Sequence, residues 1–314
     1  MPDSPPPLRG RDRLPLGDQG EGSSVQPRSI EPHPLSLAHK GAPVPPPRGG
    51  RVGSELRAAA LRIDRLDAEV LLAHLLDTPR LSLLLDPERA IDATAFAALV
   101  DRRAAHEPVA YIAGVREFWS LDLHVAPGVL IPRPDSETLI EAAIRHFRDR
   151  SPATILDLGT GSGALLLAAL SQWPAAIGVG IDASLAALAV AAANTTRLGF
   201  GDRARILAGG WEGTGAAFDI VLCNPPYVES GAELAPDVRD WEPAQALFAG
   251  ADGLDAYRVL APLLGAQIAE GGVACIEIGS GQGVTAAALF EAEGLSVRLE
   301  RDLAGLPRCL VVTK

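Results

Sequence analysis

The chain has 314 residues, enough for about two folded domains. Its composition, 47% hydrophobic and 21% charged, is that of an ordinary globular protein, and no apolar run approaches the roughly 18 residues that a membrane span needs. A formal net charge of -11 disfavours phosphate-rich partners, and the three cysteines, Cys223, Cys275 and Cys309, lie far apart without a CxxC, while the histidines are scattered, so neither a disulfide framework nor a metal site fits.

Residues 1 to about 53 hold 12 of the 26 prolines and almost no apolar clustering, which predicts a disordered tail. No apolar leader segment is visible there, so a reducing, cytoplasmic location is expected. From Ser54 to about Ala110 the spacing turns helical, with Leu66, Val70, Leu71, Ala73, Leu75 and Leu76 in one segment and Phe96, Leu99 and Val100 in another; a small helical domain follows. Residues 111–135 read as a β-hairpin (VREFWSLDLHV, 115–125) and a proline-punctuated linker containing Pro127, Pro132 and Pro134.

From 136 to 314 a helix with Leu139, Ile140, Ala143, Ile144 and Phe147 on its apolar face precedes short apolar runs alternating with helical stretches. The strand candidates are 153–158, 177–182, 204–208, 218–223, 273–278, 295–300 and 308–313, each cysteine falling in one of them. This alternation predicts an α/β fold with a mostly parallel sheet covered on both faces, and such sheets bind ligands beyond the carboxyl ends of their strands.

The first strand candidate of that domain runs into Gly159, Thr160, Gly161, Ser162 and Gly163, followed by an apolar helix. Alternate glycines let the backbone approach a ligand, and the helix N-terminus offers free N–H groups. The loop also satisfies a relaxed dinucleotide fingerprint, and Asp182, ending the next strand, suits the ribose of a dinucleotide or of S-adenosylmethionine equally well. A helix N-cap is a compatible second role for Asp182.

The fourth of these strands runs straight into Asn224, Pro225, Pro226 and Tyr227. Two prolines stiffen the backbone and remove N–H donors, so the Asn224 side chain and the Pro225 carbonyl become fixed acceptors, with Tyr227 as a flat wall. That arrangement suits a planar nitrogen nucleophile, an amide or a ring-conjugated amino group. A tight structural turn is the plainer reading.

The glycine loop together with NPPY resembles the amino-methylating S-adenosylmethionine-dependent methyltransferases. More closely, the chain resembles the PrmC/HemK family, the N5-glutamine methyltransferases of peptide chain release factors, from about Ser54 to Lys314. The resemblance is carried by His106-Glu107-Pro108, similar to the family's Gly-Glu-Pro, followed by AYIAG, then REFWSL, LIPRPDSE, DLGTGSG, NPPYV, VRDWEPAQALFAGADGLDAYR, EIGSGQG and RDLAGLPR. It implies a Rossmann-like seven-stranded methyltransferase sheet, S-adenosyl-L-methionine at Gly159–Gly163, Asp182 and Trp211, with Asn224 also beside it, and the substrate glutamine held by Asn224, Pro225, Pro226 and Tyr227. Asn224, Pro225 and Tyr227 become the candidate catalytic residues. The helical domain and hairpin would grip a release factor outside its Gly-Gly-Gln loop, the enzyme acting as a monomer without direct nucleic-acid or membrane contact. Trp211 reads either as a wall beside the adenine or as core, and where the family often carries an acid before that tryptophan, this chain has Gly210.

An amide nitrogen is a weak nucleophile, so the expected mechanism is positioning: two acceptors hold its N–H bonds while the methyl group transfers in line, and the acidic product cation loses its proton to water. A methyltransferase acting on adenine or guanine amino groups is the nearest rival, and a dinucleotide oxidoreductase or a noncatalytic adaptor are others. Arg133 and Glu137 read either as closing the cofactor pocket or as an exposed pair, and Glu242 and Glu277 carry no assigned chemistry.

Overall fold

A computed structural model describes residues 49–314. Most of the proline-rich segment lies outside the described residues, but its last five do not belong to a tail: β1 (Gly49–Arg51) pairs antiparallel with β2 (Ala90–Asp92), and Val52 opens α1 (Val52–Ala59). Strands of three residues carry no readable period, which is why this ladder escapes the sequence pattern.

Four more helices complete the helical region: α2 (Arg65–Leu75), α3 (Arg80–Leu85), α4 (Ala93–Ala104) and α5 (Val109–Ala113). Aspartates start two of them. Asp64 accepts from Leu66 N, and Asp92 accepts from Thr94 N and Ala95 N, satisfying N–H groups that a helix leaves free at its first turn. Val52, Leu71, Leu72, Phe96 and Val100 are buried together, whereas Leu66 of the apolar pattern faces solvent.

The end of α4 departs from the usual choice of residue. His106 has φ 65°, with its N–H donated to Arg103 O at 2.9 Å and Glu107 N–H donated to Arg102 O at 3.2 Å, the pair of bonds that closes a helix through one left-handed residue. Glycine takes that conformation without the Cβ penalty.

The hairpin forms as expected, β3 (Val115–Phe118) against β4 (Leu121–His124). Its turn residues, Trp119 and Ser120, both have positive φ, 52° and 59°, although neither is a residue type that favours it. Two carboxylates hold the turn: Glu137 accepts from Trp119 N at 2.9 Å and Glu117 from Ser120 N at 2.6 Å. Glu137 begins α6 (Glu137–His146), so the same bond seats the hairpin on the domain that follows.

That domain is built on β5 (Thr154–Leu158), α7 (Ala164–Gln172), β6 (Ile177–Asp182), α8 (Leu185–Arg197), β7 (Ala204–Ala208) and β8 (Phe218–Cys223). A short α9 (Pro236–Arg239), α10 (Asp255–Gln267), β9 (Ile268–Glu277), α11 (Gly283–Ala292), β10 (Ser296–Arg301) and β11 (Pro307–Thr313) follow. The seven strands stand in the order β10-β11-β9-β8-β5-β6-β7. Strands β5 to β9 run parallel, and β11 inserts antiparallel between β9 and β10.

Alternate residues of the sheet feed two cores. Ile155, Ile220 and Cys275 pack under α6, α7 and the hairpin, while Leu156, Val221 and Ile276 pack under α10 and α11. Both faces are therefore dry, as the near-continuous apolar strands require. The three cysteines are buried and free, on β8, β9 and β11.

One buried polar residue joins three segments. Asn194 on α8 accepts from His124 N at 2.7 Å and donates to His124 O and Ser162 O, each at 2.9 Å, tying the hairpin to the glycine loop. Replacing it strands these groups. Asn194→Ala is expected to cost about 2 to 4 kcal/mol in urea unfolding. His106→Gly is expected to stabilise the protein by about 1 kcal/mol in the same assay, because it removes the left-handed penalty from an exposed side chain.

Candidate active site

Strand register sets the site. Leu158 pairs with both Ile181 and Cys223, and Cys223 pairs with Ile276, so the next residues along four adjacent strands stand side by side at the carboxyl edge of the sheet: Asp182, Gly159, Asn224 and Glu277. Neighbouring strands lie about 4.8 Å apart, which places all four within one ligand's reach. The strand order reverses at β5, between β6 and β8, and a cavity of about 340 Å³ opens there.

The glycine loop forms the floor. Gly159 and Gly161 adopt φ 70° and 57°, and their turn carries the chain from β5 into α7. A Cβ at Gly159 would lie 3.5 Å from the Trp211 ring, filling the gap between the loop and that wall. Gly159, Thr160, Gly161 and Ser162 line the cavity, whereas Gly163 stands behind it as the residue that starts α7.

Two aspartates fix the loop. Asp182 accepts from Gly161 N at 2.9 Å and from Ser184 N at 2.8 Å, and it lines the cavity with lone pairs to spare. The cap of α8 is Ser184, which accepts from Ala187 N, so the N-cap role considered for Asp182 falls two residues later. Asp157 lies beneath the loop. Its Oδ2 accepts from Thr160 Oγ1 at 2.6 Å and from Leu166 N at 3.2 Å, while its buried Oδ1 has no partner. Burial pushes this carboxyl up to about 7; the Thr160 and Leu166 bonds oppose the shift, and the nearby Asp182 adds to it.

Trp211 lines the cavity and also packs half-buried on the core under α10 and α11, with its carbonyl accepting from Gln267 Nε2 at 2.8 Å. Trp211 is thus at once part of the core and a wall of the cavity. Beside it the Glu212 carboxylate folds back to accept from Gly210 N at 3.3 Å, and Glu212 Oε2 stands 2.7 Å from where a Cβ on Gly210 would be. An acidic group therefore occupies the space of the missing side chain.

Asn224 and Pro226 line the cavity. Asn224 donates from Nδ2 to Ser136 Oγ at 3.2 Å, and its Oδ1 accepts from no donor among the described residues. Pro225, between Asn224 and Pro226, is buried and is not among the lining residues. Tyr227 is not among the residues that line the cavity: its hydroxyl donates to Glu277 Oε1 at 3.1 Å, turned toward the interior, and burial raises its pKa, with the Glu277 charge adding to the effect. Tyr227 thus does not form the flat wall expected of it in this cavity, whose sides are closed by Trp211, by Phe118 from the hairpin and by the linker residues Val129 and Leu130.

Arg133 and Glu137 do not pair with each other. Arg133 forms an ion pair with Glu242, whose other oxygen accepts from Ile131 N at 3.1 Å. Glu242 is buried and pins the linker that walls the cavity, and Tyr111 of the helical region donates to Val129 O at 2.7 Å to the same end. Ser136 and Asp157 lie within the sequence segments LIPRPDSE and DLGTGSG, yet neither stood out as a site residue. Their signal is long-range: Ser136 meets Glu277, 141 positions away.

The residues present fit a nucleoside ligand. The glycine loop lets a ligand approach the backbone, Asp182 offers acceptors suited to a diol, and Trp211 offers an aromatic face. S-adenosylmethionine carries a ribose diol and an adenine ring as counterparts.

Among known proteins, the model of the PrmC N-terminal domain matches residues 51–114, and that of the methyltransferase small domain matches residues 135–254. The release factor glutamine methyltransferase of Rhodospirillum rubrum is 41% identical over 266 residues, 82% of this chain and 82% of that one. The protein of the same name from Cereibacter sphaeroides is 44% identical over 261 residues, covering 80% of this chain and 92% of its own. Among solved structures, the hMettl16 catalytic domain shares 14% identity with a TM-score of 0.50, over 68% of this chain and 81% of that one, a likeness of fold alone. Identity above 40% across four-fifths of the length leaves one assignment: the chain belongs to the release factor glutamine methyltransferase family.

Proposed function

We propose that this protein transfers a methyl group from S-adenosyl-L-methionine to the side-chain amide nitrogen, N5, of the glutamine in the Gly-Gly-Gln loop of peptide chain release factors. The observation that carries the reading is the placement of Asn224, beside the glycine loop and on the wall of the same cavity, with a free acceptor oxygen. The relatives' names support the same substrate.

The cofactor supplies an electrophilic methyl on a sulfonium. The chain supplies orientation. Asn224 Oδ1 and the Pro225 carbonyl accept the two N–H bonds of the glutamine amide, which directs its remaining electron density along the transfer axis and favours the positive charge that develops on nitrogen. No side chain need act as a strong base, because the product cation is acidic enough to lose its proton to water. Asp182 holds the ribose hydroxyls and Trp211 lies along the adenine. Pro226 lines the substrate side, and Tyr227 fixes the turn from behind.

The helical region at 54–110 and the hairpin at 111–135 are the surfaces proposed to engage the body of the release factor, and the protein acts as a monomer in the cytoplasm, where its substrate works. No helix among the described residues is long and apolar enough to cross a membrane. Methylation of a nucleic-acid base is not favoured: the relatives carry a protein substrate in their names, and the net charge of -11 opposes a phosphate backbone.

The test is transfer of labelled methyl to a purified release factor, with the product mapped by mass. Label on the Gly-Gly-Gln glutamine, absent from a Gln→Ala substrate, is the expected result; label on RNA or on another protein residue would overturn the reading. Asn224→Ala is expected to lower kcat about 10²- to 10³-fold, as loss of one oriented hydrogen bond at a reacting centre does. Asp182→Ala is expected to weaken S-adenosylhomocysteine binding about 10- to 100-fold in calorimetry, because it removes a charged acceptor.

A further inference from the structure

Glu277 stands at the carboxyl edge of the sheet beside Asn224, yet the proposed chemistry gives it no part, and it is buried at 1% exposure. Both of its oxygens accept bonds from hydroxyls. Ser136 Oγ donates to Oε2 at 2.5 Å and Tyr227 OH donates to Oε1 at 3.1 Å. Its backbone carbonyl accepts from Tyr257 OH at 3.0 Å, so the end of β9 is itself held firmly.

A serine hydroxyl carries one proton. With that proton given to Glu277, Ser136 Oγ can only accept from its other partner, Asn224, and the group Asn224 presents to it is the Nδ2 amide at 3.2 Å. The carboxamide is planar, so Oδ1 then points the other way. The direction of three successive bonds is thereby fixed from one end, and a donor in place of the Glu277 acceptor would reverse it. Ser136 would donate to Oδ1, and Nδ2 would face a substrate N–H.

We propose that Glu277 is a positioning residue for methyl transfer, acting through Ser136 to turn the Asn224 carboxamide oxygen toward the substrate nitrogen and through Tyr227 to hold the other end of the same turn. The proposal rests on the reading that Asn224 accepts from the substrate amide. Gln282 strengthens the second arm by donating from Nε2 to Tyr227 O at 3.0 Å. Both ends of Asn224-Pro225-Pro226-Tyr227 are thus moored to one buried acid, which also sets where the Pro225 carbonyl points.

A role confined to stability makes the opposite forecast for an isosteric change. Buried carboxylates are costly to desolvate, so an amide of the same shape should fold as well or better. The decisive variant is therefore Glu277→Gln, which cannot accept at both ends: its NH2 turned to Ser136 reverses the chain, and turned to Tyr227 it reverses the bond that moors the other end of the turn. It is expected to retain its fold and to bind S-adenosylhomocysteine within about twofold of the parent, with kcat lowered about 10- to 100-fold, the scale of a small misplacement at a reacting centre.

Ser136→Ala should give a comparable loss, Ser136→Thr should recover most of it by restoring the hydroxyl, and Glu277→Gln combined with Ser136→Ala should be no worse than Glu277→Gln alone, since Ser136 acts only through the arm that Glu277 directs. Nuclear magnetic resonance of the Asn224 side-chain amide gives a readout independent of turnover: its protons should be protected from exchange in the parent and lose that protection in Ser136→Ala. Unchanged kcat in Glu277→Gln overturns the proposal, as does a fall in cofactor affinity as large as the fall in kcat. If the parent methylates no release factor, the functional reading fails by itself, and an Asn224 amide insensitive to Ser136→Ala independently rejects the relay.

Discussion

The structure depends on the register of β5 with its two neighbours. Because Leu158 stands opposite both Ile181 and Cys223, the chain leaves three central strands at the same height, and the reversal of strand order at β5 keeps the connecting segments from covering the gap. A slip of one residue in either pairing would turn every side chain of that strand to the other face, so the two apolar cores that fix the register also fix the site. The loop, the ribose acceptor and the Asn-Pro-Pro-Tyr turn are thus consequences of packing several residues below them.

Much of this was legible in sequence for the same reason. Parallel strands buried on both faces read as short apolar runs, and all seven candidates coincide with strands of the sheet, within a few residues. Gly159, Asp182 and Asn224 were readable because each directly follows or ends such a run. What escaped was whatever depends on contacts between distant segments. The antiparallel insertion of β11 leaves no mark on its own residues, and the pairing of Arg133 with Glu242 rather than Glu137 joins positions 109 apart. Tyr227 shows the limit best. Its place in the motif was evident, but the direction of its ring was decided by Glu277, on a strand 50 residues later.

Departures from the family pattern divide into those the structure absorbs and those it compensates. His106, where a Gly-Glu-Pro sequence would put glycine, keeps the left-handed closure of α4 and bears its strain on the surface. Gly210 is different, because the Glu212 carboxylate has folded into the space a side chain there would occupy and accepts from the Gly210 N–H. The chain thus carries its acid one position after Trp211, folded back over Gly210.

The carboxylates beneath the cavity share one design feature. Asp157 and Glu277 are both fully buried, both have their pKa raised by burial, and both accept from hydroxyls, Thr160 in one case and Ser136 with Tyr227 in the other. An arginine would neutralise such a charge more completely, as Arg133 does for Glu242 at the linker. It would also end the chain of bonds, since a guanidinium donates at every nitrogen and accepts nowhere. A hydroxyl donates once and can accept in return, so it passes the polarity of the buried acid to its next neighbour. The linker, which needs only to be held, has the ion pair, whereas the turn that carries Asn224 has hydroxyls between acid and amide.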